Sequence, residues 1–136
     1  MNLIAQATSA LLALFDQLCP REQFPQALFA AYQPDDFTSP MEEGVSFYLF
    51  KVDVAPDMRQ GRTMYLSYLM TAWSPDPIRQ PELLGWAIGT AQGNAVVEQH
   101  LRLEILPLTI ADTAAVWSMA RAGAQPSMAI LIRAFD

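Results

Sequence analysis

The stretch from Met64 to Trp73, reading MYLSYLMTAW, constrains this chain most, because both faces of its alternating pattern are largely apolar. Met64, Leu66, Tyr68, Met70 and Ala72 fall on one side, and Tyr65, Leu69 and Trp73 on the other. A strand apolar on both sides has to be covered on both sides, so it belongs at the centre of a sheet with helices packed on it. Pro75 and Pro77 end the ladder, and Pro81 suits the first turn of the next helix, where its missing N–H goes unused. That helix, over Glu82 to Gln92, carries Gly85 and Gly89 four apart, with Gly93 one turn on. Each interior glycine costs roughly 1 kcal/mol against alanine, so the repeat predicts close backbone packing along that face.

The other elements follow from periodicity. Leu3, Ala7, Leu11, Leu14 and Leu18 recur at spacings of three and four, which predicts an amphipathic helix from Asn2 to Leu18, stopped by Pro20. Ala27 to Gln33 reads as a short strand or the end of a helical turn, with the strand favoured. Pro34 to Gly44 has two prolines, four acids and a glycine, the chemistry of an exposed, mobile loop. Val45 to Val54 is rich in β-branched and aromatic residues, and pairs with Met64 to Trp73 as a long antiparallel hairpin across a connector bearing Asp57, Arg59 and Arg62. Leu101 to Leu106 alternates as a strand with one solvated face. Thr109 and Asp112 have capping-box spacing and start a helix running to Arg121, ended near Gly123. Ser127 to Phe135 is a last strand, and its place at the chain's end makes it a candidate sheet edge. The expected fold class is α+β: a mixed, mainly antiparallel β-sheet with a long hairpin, packed by helices, in one domain over residues 1–136.

Composition excludes several functions. The chain is 52% apolar and 16% charged, so it is globular, with apolar surface to spare for subunit contacts. One lysine and seven arginines against a net charge of −6 offer no basic stripe for nucleic acid. Cys19 stands alone, which rules out an intrachain disulfide and suits a reducing compartment. No apolar run is long enough to span a bilayer, and no basic leader precedes the first apolar stretch, so neither membrane insertion nor a signal peptide is expected.

The chemistry-bearing residues are sparse. His100 is the only histidine and has no second ligand near it in sequence, so it supplies neither metal site nor proton relay. No nucleophile elbow is present, and Gly85, Gly89 and Gly93 lack the strand-turn-helix context of a phosphate cradle. Asp35, Asp36, Glu42 and Glu43 match no calcium-loop spacing. Trp73, Trp86 and Trp117 fall at core positions. No catalytic, metal or cofactor residue is therefore assigned. Asp57, Arg59 and Arg62 on the projecting loop are candidates for partner contact, about as readily read as plain solvated charge.

Five segments resemble the cap, or tail-terminator, domain family of contractile injection systems, which are phage-tail-like particles. They are Gly44 to Arg59, Tyr65 to Trp73, Asp76 to Val97, Leu101 to Met119 and Pro126 to Phe135, and together they cover most of the chain. The resemblance implies a fold like that of phage tail-terminator proteins and a non-enzymatic structural part without cofactor. It implies a homohexameric ring that closes the inner tube and engages the last sheath layer. It also implies assembly in the bacterial cytoplasm as part of a particle that is released or membrane-associated. The family has no fixed contact motif, so regions alone carry over. The candidate interface residues are Asp57, Arg59 and Arg62, together with Ser127, Ala129, Leu131, Arg133 and Phe135 of the terminal strand. Open edges of that strand and of the hairpin are expected to pair with neighbouring subunits. The competing expectation is a small ligand-binding or adaptor domain, with the three tryptophans and Tyr48, Tyr65 and Tyr68 around a pocket.

Overall fold

The computed structural model describes residues 2–55, 63–120 and 125–135. In chain order the elements are α1 (Leu3–Leu18), β1 (Leu28–Tyr32), a 3-10 turn (Pro34–Thr38), β2 (Gly44–Ala55), β3 (Thr63–Trp73), α2 (Arg79–Gly93), β4 (Val96–Glu98), β5 (Leu101–Leu106), α3 (Ile110–Ala120) and β6 (Ser127–Phe135). The strands form one six-stranded sheet in the order β1-β2-β3-β6-β5-β4. β1 runs parallel to β2 and every other pair is antiparallel, so the fold is mixed α+β, as expected.

The two apolar faces of β3 explain the layering. α1 begins where Asn2 Oδ1 accepts the backbone N–H groups of Ile4 and Ala5, at 2.9 and 3.2 Å, satisfying donors that a helix start leaves orphaned. Its Ala7, Leu11 and Phe15, spaced by four, are fully buried against the face that carries Leu66, Tyr68 and Met70. α2 adds Leu83, Ala87 and Ala91 to the same core. On the opposite face Leu69 and Trp73 pack with Tyr48, Phe37, Val116 and Trp117 under α3. α3 starts with the foreseen reciprocal cap: Thr109 Oγ1 accepts from Asp112 N at 3.0 Å, and Thr109 N donates to Asp112 Oδ2 at 3.4 Å.

Three expectations are corrected. First, β6 is not an edge strand: it lies between β3 and β5, with its backbone paired on both sides. Its two apolar faces need cover from both helical layers, which an interior position supplies, and the excursion through α2, β4, β5 and α3 returns the chain there. Second, Gly85, Gly89 and Gly93 make no close approach, because a Cβ added at any of them would meet nothing within 4 Å. α2 buries the stripe of Leu83, Ala87, Thr90 and Ala91 and turns its glycines outward. Third, the segment after Pro34 is anchored rather than free. Phe37 is 5% exposed, with its ring 5.6 Å from Trp117 and 5.8 Å from Tyr48, and Met41 N donates to Tyr32 Oη at 2.7 Å. One aromatic side chain supplies enough apolar burial to hold a polar loop down. The short β4 was not foreseen.

A partly buried ion pair ties three segments together. Arg79 Nη2 lies 2.6 Å from Glu43 Oε1, and Arg79 Nε lies 2.9 Å from Oε2. The same Arg79 donates to Gln23 O at 3.0 Å and stacks over Phe24 at 5.2 Å, so the start of β2, the start of α2 and the loop after α1 share one clamp. The Arg79 hydrogen bond, aided by that from Ser74 Oγ and by the arginine's charge, holds the Glu43 carboxyl below its ordinary range against the opposing effect of burial. A carboxyl whose folded pKa is depressed contributes stability that is complete above its unfolded pKa and is lost as pH falls through the folded value. Wild type is therefore expected to lose more stability than Glu43→Gln on acidification below the ordinary carboxylate range, measured by urea unfolding across pH. Equal losses would show that the pair contributes nothing.

The second core layer holds two buried polar atoms without a hydrogen-bond partner among the described residues, Thr71 Oγ1 and Trp117 Nε1. Thr71 is fully buried, and its Oγ1 has no hydrogen-bond partner among the described residues. A buried hydroxyl without a partner is destabilising, so Thr71→Val, nearly the same shape, is expected to raise the urea midpoint by an amount worth about 1 kcal/mol. A lower midpoint would mean that the hydroxyl is satisfied.

Candidate interaction surfaces

Chemistry is not concentrated anywhere among the described residues. No group of three or more His, Cys, Asp or Glu side chains there is placed to hold a metal. His100 lies in the β4–β5 turn, where its carbonyl accepts from Phe135 N at 3.1 Å. Ser74 Oγ donates to Glu43 Oε2 at 3.2 Å and accepts from Asp76 N at 3.2 Å, so it caps a turn. The aromatic pocket of the competing expectation does not form, because the sheet divides its members. Trp86 packs against Phe15 and Phe29 on the α1 and α2 side, and Tyr68 Oη lies 2.7 Å from Thr8 Oγ1 on that side. Trp73 and Trp117 belong to the other layer, where Trp73 Nε1 donates to Ser46 Oγ at 2.8 Å. A strand's alternation sends neighbours to opposite faces, so aromatic residues close in sequence are held apart.

What the structure presents instead is an incomplete edge. β1 pairs with β2 only from Leu28↔Gly44 to Tyr32↔Tyr48, and then the chain turns away into the 3-10 turn. From Leu49 to Ala55 the outer side of β2 has no strand partner among the described residues. A cleft of about 620 Å³, lined by Ala31, Tyr32, Tyr48, Leu49, Thr8 and Tyr68 among others, opens at the step where β1 ends. Beyond it, Val52 and Val54 are 41% and 58% exposed. Unpaired backbone with exposed β-branched side chains is a template for strand addition. Among the described residues, the hairpin edge named from the sequence is thus open along half of β2.

The other candidates fare differently. Asp57, Arg59 and Arg62 lie outside the described residues. Ser127, Ala129, Leu131, Arg133 and Phe135 are collected on one face of β6, opposite the side on which Ile130, Ile132 and Ala134 meet the helical core. Ala129 is buried, Leu131 borders α3, and Arg133 is exposed. Pairing through their backbone is closed off by β3 and β5, which leaves their side chains as the available contacts. Arg133 stands directly opposite Arg102 of β5, a juxtaposition that only the register reveals.

A family model described as the Pvc16 N-terminal domain matches residues 6–136. Among solved structures, the sheath/tube terminator of PVC, an extracellular contractile injection system, in its extended state superposes with a TM-score of 0.76 at 12% identity, covering 98% of this chain and 56% of the other. The tube-terminating cap of the anti-feeding prophage superposes with a TM-score of 0.68 at 10% identity, covering 96% of this chain and 52% of the other. At these identities the likeness is one of fold. The chain spans a little over half the length of either. No curated protein matches it significantly.

Proposed function

The chain belongs to the Pvc16 N-terminal domain family, and from that membership we propose that it is a structural cap of a contractile injection particle, ending the inner tube. In this proposal six copies close a ring that engages the last sheath layer. Its partners are copies of itself and the tube and sheath proteins, and assembly takes place in the bacterial cytoplasm. The observation that carries the proposal is the family match over nearly the whole chain, joined to a fold shared with two terminators.

The physics supports such a role. Ring closure needs heterologous contacts, in which one patch meets a different patch of the next copy. A sheet with dissimilar borders, a stepped β1/β2 edge on one side and the three-residue β4 on the other, is asymmetric in the required way. The open Leu49 to Ala55 edge suits partner binding by backbone pairing, which gives affinity with little demand on sequence. The described structure is organised around packing and edges, and no catalytic role is proposed for any residue. No helix of the described residues is long and apolar enough to cross a membrane.

Deleting the protein from a particle-producing strain is expected to yield tubes of irregular length and sheaths that fail to stay extended, scored by negative-stain microscopy. Full-length, contractile particles in the deletion strain would defeat the assignment. Val52→Pro, which removes a backbone donor from β2, is expected to lower particle yield while leaving the purified protein folded. Unaltered yield would exclude this edge as a docking site.

A further inference from the structure

We propose that copies of this chain join head to tail by continuing the sheet, with β4 of one copy entering the step that β1 leaves on β2 of the next. The junction rests on the ring reading above and repeats at each contact of that ring.

The pairing registers trace level rows across the sheet. One row runs from β2 to β4 through Asp53, Tyr65, Arg133, Arg102 and Val96, and the row beside it through Val54, Met64, Ala134, Leu101 and Glu98. β4 is therefore level with the half of β2 that has no strand partner among the described residues. β1 sits lower, because its last pair is Tyr32↔Tyr48, on the row of Leu69, Ala129 and Leu106. The two borders are thus cut to opposite profiles: β1 projects along the lower part of one, and β4 along the upper part of the other. When two copies stand side by side with their sheets in line, β1 of one and β4 of the next fall in a single column, one below the other, and do not collide.

Strand direction fits as well. From β2 through β3, β6 and β5 to β4 each strand is antiparallel to the one before, so β4 runs the same way as β2, as β1 does. β4 of the next copy accordingly takes up the line of β1 where β1 stops. The side chains at that height are apolar and uncovered: Val52 and Val54 on one border are 41% and 58% exposed, and Val96 on the other is 56% exposed. Exposed β-branched residues on unpaired borders form a surface that a strand of another chain covers. The lower end of the step is accessible, since the cleft at the end of β1 is lined by Tyr32, Tyr48 and Leu49. A β1 that ran the full length of β2 would fill the step and shut the junction. Because two different borders meet, the contact is heterologous, the kind that closes a ring.

The test uses the full-length chain in a Cys19→Ala background carrying Asp53→Cys and Val96→Cys together, with each variant checked for folding by circular dichroism. Within one copy these two positions are held apart by β3, β6 and β5, roughly 20 Å at the spacing of paired strands, whereas across the junction they are neighbours. A short bismaleimide is therefore expected to link copies into a ladder that ends at six on denaturing gels. Leu28→Cys with Val96→Cys is the control, because Leu28 is exposed on the same border as the step but at its lower end. That pair is expected to link about tenfold less, since only groups held side by side gain effective concentration. Rings in negative stain without linking through positions 53 and 96 would overturn the junction and leave the ring reading standing, and equal linking by the control pair would overturn the junction too. Linked chains that run past six without rings would overturn the ring reading while supporting the junction. Neither rings nor links would overturn both.

Discussion

Phe15→Ala is expected to destabilise the protein by about 3–5 kcal/mol, the cost of truncating a large, fully buried aromatic side chain. Phe15 sits where three elements converge. Its ring lies 5.0 Å from Phe47 on β2, 5.8 Å from Trp86 on α2 and 6.4 Å from Phe29 on β1, and the residue has no exposed surface. Alanine removes the contacts that fasten α1 to both the sheet and α2, and the surrounding rings cannot collapse into the gap without leaving their edge-on packing. Urea unfolding followed by tryptophan fluorescence measures the loss, and Trp86 also reports the change locally. A loss below about 1 kcal/mol would show that α1 is not fastened here.

Replacing Gly44 with valine is expected to be comparably severe and to act at a different place. Gly44 has a φ of +151°, a conformation that side-chain-bearing residues rarely adopt. A Cβ there would collide with the carbonyl oxygen of Leu28, with Met41 Sδ at 2.5 Å and with Leu28 N at 2.7 Å. Leu28 is the first residue of β1 and pairs with Gly44, so the clash falls on the one parallel junction of the sheet. Strained backbone and overpacking together are expected to cost about 2–5 kcal/mol. β1 is expected to detach before the rest of the sheet. Hydrogen exchange should therefore rise first over residues 28–32, while β3 and β6 keep their protection. Uniform loss of protection would mean that β1 and the centre of the sheet unfold as one unit.

The two sites differ in how far the sequence announces them. Phe15 stands on the apolar stripe of α1 and is recognisable as core from spacing alone. Gly44 reads only as the last residue of a loop, because the backbone it must clear, that of Leu28, lies sixteen positions earlier. The same division holds for the candidate contact surfaces. The hairpin edge is nameable as a candidate from the sequence, but that β1 covers only its first half is seen in the pairing alone. The Arg102 and Arg133 pair is invisible until the register between β5 and β6 is known, since the two are remote along the chain. The glycines of α2 mark the opposite failure. A regular spacing suggested a packing groove, yet periodicity records which residues share a face and not which face turns inward.

By itself, then, the sequence determined the local grammar: three helices, the last with its capping pair, a central strand apolar on both sides, and a sheet that had to be covered twice. These depend on neighbours a few positions away, where steric preference and hydrophobic alternation act directly. Tertiary structure alone decided that β6 lies inside the sheet, that Phe37 anchors an acidic loop, that β1 stops halfway along β2, and that two arginines face one another. Each is a pairing between distant segments, chosen by which arrangement buries the most apolar surface while leaving the fewest backbone groups unmatched.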